Sequence, residues 1–188
     1  DIKEWGMPAH MVNAYYNPQK NLIVFPAAIL QAPFYSLEQS SSANYGGIGA
    51  VIAHEISHAF DSNGASFDEY GSLNNWWTEE DYAAFESRTQ QVIDQFEGQD
   101  SYGAKINGKL TVSENIADLG GIAAALEAAK SEEDFSAEEF FTNFARIWRM
   151  KARPEFMQML ASVDVHAPGH LRTNIQLPNF DEFHETFG

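Results

Sequence analysis

The sequence predicts a mostly helical α+β fold with one small antiparallel sheet on its N-terminal side, and three observations carry that expectation. Two runs rich in β-formers, at residues 12–16 and 22–25, flank the turn-forming stretch Asn17-Pro18-Gln19-Lys20-Asn21. This reads as a hairpin with a five-residue loop. Further on, apolar residues recur at helical spacing and helix-start signals repeat. No internal repeat, low-complexity tract or linker interrupts the chain.

The elements follow in order. Pro26, Pro33 and the polar stretch 38–44 predict irregular connection. Gly46-Gly47 precedes a helix expected to reach about Phe60, and its residues from Ile48 to Ala53 are apolar almost all round, as in a buried helix. Residues 61–75, with Gly64 and Gly71, read as loop. Thr78 then caps a helix whose first-turn acids Glu79, Glu80 and Asp81 suit its positive end, and Tyr82, Phe85, Val92 and Phe96 form its core stripe. Another helix is expected from about Thr111 to Lys130. A further one runs from Ser136, with Glu139 completing a capping box, to Arg153-Pro154. Residues 162–179 read mostly as loop, and a short helix lies around Asp181.

At 188 residues the chain fits one domain able to bury a core. Hydrophobic content of 44% and aromatic content of 13% favour a globular over a disordered chain. No run approaches a membrane span and no signal-peptide pattern opens the sequence. The first residue, Asp1, suggests a start partway through a longer protein. With 27 acidic against 11 basic residues, the net charge of −16 would repel a phosphate backbone, so nucleic acid is an improbable partner.

The most informative segment is His54-Glu55-Ile56-Ser57-His58. Histidines four apart on a helix project from one face, where their ring nitrogens can share one zinc ion. The glutamate beside the first is placed to take a proton from a water that the metal acidifies. The chain has no cysteine, so thiolate ligands and disulfides are excluded and nitrogen and oxygen must hold the ion.

A catalytic zinc takes three protein ligands. The three-histidine pattern would need glycine at 61 and histidine at 64, whereas the chain has Asp61 and Gly64. A carboxylate from another element is expected instead. Glu79 and Glu80 are near in sequence but fit the first turn of an exposed helix. Glu114 is the better candidate, because Asp118 lies four residues on, on the same helix face, where it can hold the far nitrogen of a ligand histidine. Thr111-x-x-Glu114 also fits a capping box. A cap explains neither Asp118 on an apolar helix nor Gly120-Gly121 within it, since each interior glycine costs about 1 kcal/mol. Paired glycines there make sense where another element packs very close.

Together these motifs resemble the neprilysin-like zinc metallopeptidases, which include endothelin-converting enzymes and bacterial endopeptidases. Asn13-Ala14-Tyr15-Tyr16 is similar to that family's substrate-binding strand, His54 through Asp61 to its first zinc motif, and Glu114-Asn115-Ile116-Ala117-Asp118 to its second. Asp164-Val165-His166-Ala167-Pro168 with Arg172 is similar to its C-terminal catalytic segment. The likeness spans about residues 10 to 183.

The resemblance implies a gluzincin (thermolysin-like) core holding one Zn2+ through His54, His58 and Glu114. It implies Glu55 as general base, Asp118 orienting His54, and His166 stabilising the oxyanion. Arg172 would bind a substrate carbonyl, and Asn13 and Ala14 the peptide backbone along an edge strand. Ile29, Phe34, Val51, Ile147 and Trp148 would form a hydrophobic pocket for the residue after the cut. Short peptides are the implied substrates, cleaved on the amino side of hydrophobic residues. Family members are several times longer, so the chain is expected to be a catalytic core on which an N-terminal helical region packs, lacking also the extreme C-terminus. The alternative is a zinc-containing peptide-binding fragment with little or no turnover. Absence of cysteine fits a bacterial member better than a secreted animal one; a bacterial cytoplasmic setting is favoured, with membrane-anchored and secreted settings left open.

Overall fold

A computed structural model describes residues 5–188. The expected hairpin is present but shorter. β1 (Tyr15–Asn17) pairs antiparallel with β2 (Leu22–Val24), Tyr15 opposite Val24 and Asn17 opposite Leu22. Asn17 therefore belongs to the ladder. The turn closes where its Oδ1 accepts from the Lys20 N–H at 3.1 Å and Asn21 takes a positive φ of 43°, a conformation asparagine tolerates.

The stretch expected to be irregular before Asn44 is already helical at its end. The Ser40 side chain accepts from the Ala43 N–H at 3.1 Å and caps α1 (Ser41–Asn44). The chain continues without a break through a π turn (Tyr45–Gly49) into α2 (Ala50–Ser57), then tightens into a 3₁₀ turn (His58–Phe60). Gly46 and Gly47 thus lie inside a helix instead of preceding one. A Cβ on Gly46 would sit 2.0 Å from the Phe140 carbonyl oxygen, and one on Gly47 2.4 Å from that of Phe34. Backbone contact, not helix initiation, explains the pair.

Thr78 caps α3 (Glu79–Phe96) in a reciprocal box with Asp81, and Glu79 and Glu80 are exposed first-turn acids as expected. A second hairpin, β3 (Asp100–Ser101) with β4 (Ala104–Lys105), was not anticipated; Tyr102 and Gly103, at φ 55° and 90°, make its turn. Two-residue strands leave no alternation to read. α4 (Gly108–Ala129) starts earlier than expected, because Asn107 Oδ1 caps it by accepting from the Leu110 N–H at 3.0 Å. Thr111 is therefore interior, and the capping-box explanation of Glu114 falls.

α5 (Ala137–Ile147) stops well short of Arg153. Ser136 caps it, but the reciprocal half of the box is missing: the Ser136 N–H donates to Ser42 Oγ and the Glu139 carboxylate accepts from Ser40. α6 (Pro154–Val163) begins with proline at its first position, where the missing N–H costs nothing. α7 (Gly169–Asn174), a 3₁₀ turn (Leu177–Asn179) and α8 (Asp181–Phe187) occupy much of the expected loop and the expected final helix.

Three apolar clusters hold these elements. Ala50, Ile122, Leu126, Phe140, Phe141, Phe144 and Leu177 join α2, α4 and α5. Val92, Phe96, Ile106, Ala161 and Leu171 join α3 to α6 and α7 beside α4. Ala14, Ile29, Ile48 and Val51 fasten the hairpin side to α2. The α2–α4 crossing matters most. A Cβ on Gly121 would lie 2.8 Å from the His54 backbone nitrogen, and one on Gly120 2.8 Å from Ser57 Oγ. The paired glycines do admit a very close neighbour, and that neighbour is the helix carrying the histidines. No helix among the described residues is long and apolar enough to cross a membrane.

Candidate metal centre and cleft

α2 presents His54, the 3₁₀ turn that continues it presents His58 one turn on, and α4 brings Glu114 against them. The two Nε2 atoms are 3.1 Å apart, and Glu114 Oε2 lies 3.2 Å from the first and 3.4 Å from the second. The far nitrogens are both engaged by carboxylates: His54 Nδ1 by Asp118 Oδ1 and His58 Nδ1 by Asp61 Oδ2, each at 2.8 Å. A carboxylate only accepts, so each Nδ1 carries the hydrogen, and a ring that gives up its second proton turns its Nε2 lone pair inward. Glu114 Oε2 is buried and receives no hydrogen bond. Two lone pairs and an undonated carboxylate oxygen converging on one point repel one another unless a cation sits among them. The residues therefore fit a metal, and two imidazoles with one carboxylate and no thiolate suit zinc.

In the metal-free cluster the carboxylates drive both histidines toward their protonated forms, so protons stand where the cation would. Burial alone would lower the pKa of His58, but Asp61 and Glu114 outweigh it and push the imidazole up to about 10. His54 is raised likewise against its burial, by Asp118 and Glu114. Burial would raise Glu114, yet the surrounding histidines, His166 foremost, hold its carboxyl far below the usual range.

Behind the ligands stands a layer of fixed charge. Asp118 accepts from Arg172 twice, Nε at 2.7 Å and Nη2 at 2.6 Å, while also holding His54. Burial would raise its carboxyl, but the Arg172 charge leads in holding it down. The guanidinium lies 3.5 Å above the Trp148 ring centroid. Arg172, expected to bind a substrate carbonyl, is thus first a partner of Asp118; with Nε and one Nη2 hydrogen committed, Nη1 and the second Nη2 hydrogen remain for any such contact. Asp61 holds His58 and is itself fixed by Ser113 Oγ at 2.6 Å and the N–H groups of Asn63 and Gly64 at 2.8 Å. Its signal in the sequence was a carboxylate three residues beyond the second histidine, just where the helix ends.

The cluster lies in a cleft of about 860 Å³. Glu55 lines it, and burial lifts its pKa while the nearby histidines oppose that rise. His166 reaches in from the loop after α6, with Nε2 3.3 Å from Glu114 Oε2 and Nδ1 2.8 Å from Asp164 Oδ1. Asp164 also accepts the His166 backbone N–H at 2.9 Å, fixing the ring's base. Glu114 leads in raising the pKa of His166 and Asp164 adds to it, which favours the form in which both ring nitrogens donate.

Asn13, Ala14, Phe34, Val51, Ile147, Trp148 and Arg172 all face this cleft. Val51 and Ile29 are buried beside Phe34 and Ile147 in one cluster, whereas Trp148 packs against the cluster that joins α2, α4 and α5. The edge-strand expectation needs correction. Asn13 and Ala14 precede β1 and lie outside the ladder, and the Ala14 N–H is already taken by Asn13 Oδ1 at 2.9 Å.

A helix bearing His-Glu-x-x-His, completed by a glutamate from a second helix at the floor of an open cleft, defines a zincin-type metal centre. Comparison with known proteins then gives the family. Over residues 13–188 the chain matches peptidase family M13, and it belongs to that family. A Streptococcus gordonii protein named as a zinc metalloproteinase is 90% identical over 140 residues, covering 74% of this chain and 25% of that protein. A neutral endopeptidase of Lactococcus lactis is 65% identical over 187 residues, all of this chain and 30% of the relative. The crystal structure of PepO from Lactobacillus rhamnosis superposes over the whole chain with a TM-score of 0.95 and 48% identity, covering 30% of that chain. The chain thus spans less than a third of each of these relatives.

Proposed function

We propose that the chain is the gluzincin-type core of a zinc endopeptidase that hydrolyses short peptides on the amino side of hydrophobic residues. One observation carries this reading: His54, His58 and Glu114 converge on a buried, undonated oxygen in a cleft that Glu55 and His166 also line. Bound zinc would polarise the scissile carbonyl and acidify water, lowering its pKa toward about 7. Glu55 takes the proton and returns it to the leaving amine, a task suited to a carboxylate lifted above its ordinary pKa. His166 donates through Nε2–H to charge that develops on the carbonyl oxygen, its ring held by Asp164. Phe34, Val51, Ile147 and Trp148 receive the side chain after the cut, and Asn13 aligns the peptide backbone. The length of the relatives and the exposure of Ile56, Phe60 and Trp76 support further polypeptide of the same protein packing around this core.

The test is the Glu55→Gln variant with a quenched fluorescent peptide, alongside a chelator control. Turnover should fall by about 10²–10⁴-fold with zinc content unchanged, and chelation should abolish turnover in the parent protein. Near-normal cleavage by the variant would sink the reading.

A further inference from the structure

Phe34 stands on a segment with little regular structure of its own. Between β2 and α1, residues 25–40 contain a single 3₁₀ turn (Ala27–Ile29), so neither a ladder nor an α-helix fixes the ring. Its place is set instead through two consecutive carbonyls. The Phe34 carbonyl accepts from the Ile48 N–H, inside the π turn, at 2.7 Å. The Pro33 carbonyl accepts from Asn143 Nδ2 on α5 at 2.9 Å, and at the longer distance of 3.3 Å from Gln39 Nε2. The same Asn143 nitrogen donates to the Ala43 carbonyl of α1 at 2.7 Å.

A primary amide is the side chain this junction requires. Two carbonyls face one nitrogen, and a carboxamide nitrogen carries two hydrogens. The flipped group would set an oxygen against both carbonyls, so the partners also fix its orientation. Asn143 is 3% exposed, on a helix that also buries Phe140, Phe141 and Phe144. Its Oδ1 is buried with no hydrogen bond among the described residues. An unpaired buried acceptor costs free energy that an apolar side chain would not. The amide is retained for its donor end. Gly47 leaves room for the junction, since a Cβ there would lie 2.4 Å from the Phe34 carbonyl oxygen and 2.9 Å from Asn143 Nδ2. One turn further along α5, Ile147 joins the apolar cluster that Phe34 packs against.

We propose that Asn143 is a positioning residue for specificity: by holding the Phe34 segment against the π turn, it sets the size of the pocket for the residue after the cut. It acts through Phe34 and is not among the residues lining the cleft. This rests on the reading above that Phe34 receives that side chain. Hydrophobic pockets discriminate a single methylene by about 10–200-fold, so a small displacement of one wall changes which side chain fits.

The experiment gives the zinc-loaded protein two peptides that differ only in the residue after the cut, Phe or Ala. Asn143→Leu keeps the bulk and removes both donors. It should lower the Phe-to-Ala ratio of kcat/KM about three- to tenfold with zinc affinity unchanged. A merely loosened protein would lose both peptides alike. Asn143→Ala, which leaves room for water at the two carbonyls, gives the same reading should Asn143→Leu not fold. Anisotropy in the Glu55→Gln background measures the ratio in binding alone. With Phe34→Ala already in place, the Asn143 change should lower the ratio no further. A fully additive second loss overturns the proposal, as does an undiminished ratio in the Asn143 variants where Phe34→Ala lowers it. A ratio that Phe34→Ala itself leaves unmoved overturns the pocket reading, and the proposal with it.

Discussion

The α2–α4 crossing and the α5–α6 connection lie on the same cleft and are built in opposite ways. At the crossing, backbones touch through Gly121, every ligand histidine is gripped by a carboxylate, and each of those carboxylates is gripped in turn by Arg172 or Ser113. At the connection, Arg149, Lys151 and Arg153, with Arg146 in the last turn of α5, are exposed and without ion-pair partners among the described residues, beside an indole nitrogen, Trp148 Nε1, that is buried without a hydrogen bond there. Interlocking suits the part that must hold a metal to within tenths of an ångström. Looseness suits the part that must accept varied ligands.

Breaking the tight side should have the largest effect. Asp118→Asn keeps the shape but removes the charge shared by His54 and Arg172, and zinc affinity should drop about 10–100-fold, measured by competition with a chromophoric chelator. It should also remove a share of stability. The Asp118 carboxyl is depressed in the folded state, so that share is full above the ordinary carboxylate range and is lost as pH falls through the folded value. Urea midpoints at pH 7 and pH 3 should therefore differ less for the variant than for the parent.

The next test concerns the metal-free cluster. His58, pushed up to about 10, carries a proton at neutral pH that zinc must displace. Apparent zinc affinity should then rise with pH, by roughly tenfold per unit for each proton displaced, until the pH nears the His58 value. Calorimetry in buffers of different ionisation enthalpy would count the protons; no release would show that the cluster is not pre-protonated.

The smallest effect is expected on the apolar wall. Phe34→Ala should cut the preference for a large over a small residue after the cut by roughly tenfold in kcat/KM. With Phe34 only half-buried, the stability cost should stay near about 2 kcal/mol.

The legibility of the sequence follows the same division. His54, Glu55, His58, Glu114 and Asp118 could be read because helix periodicity fixes which residues share a face, and metal chemistry limits which types converge. The expected closeness at Gly120-Gly121 followed from the cost of glycine in a helix. Asp61 and Asp164 were not assigned their partners, because each acts across a helix end or loop whose path depends on tertiary contacts. At α5 the Ser136 cap is as expected, but Glu139 turns to Ser40 on a distant segment instead of closing the box, and the far end differs because the basic run after Ile147 continues a helical composition without the helix. The β3–β4 hairpin escaped for want of length.

The π turn before α2 has one more consequence, for insertions and deletions. It carries about one residue more than an α-turn would use, and each residue rotates a helix by ~100°. Deleting a single residue within Tyr45–Gly49 would let the helix rewind as plain α. α1 would then swing around the axis while α2 stayed against α4. Ser40 would lose Glu139, and Ser41 its 2.9 Å bond to Asp134. This segment should therefore tolerate changes of side chain far better than changes of length.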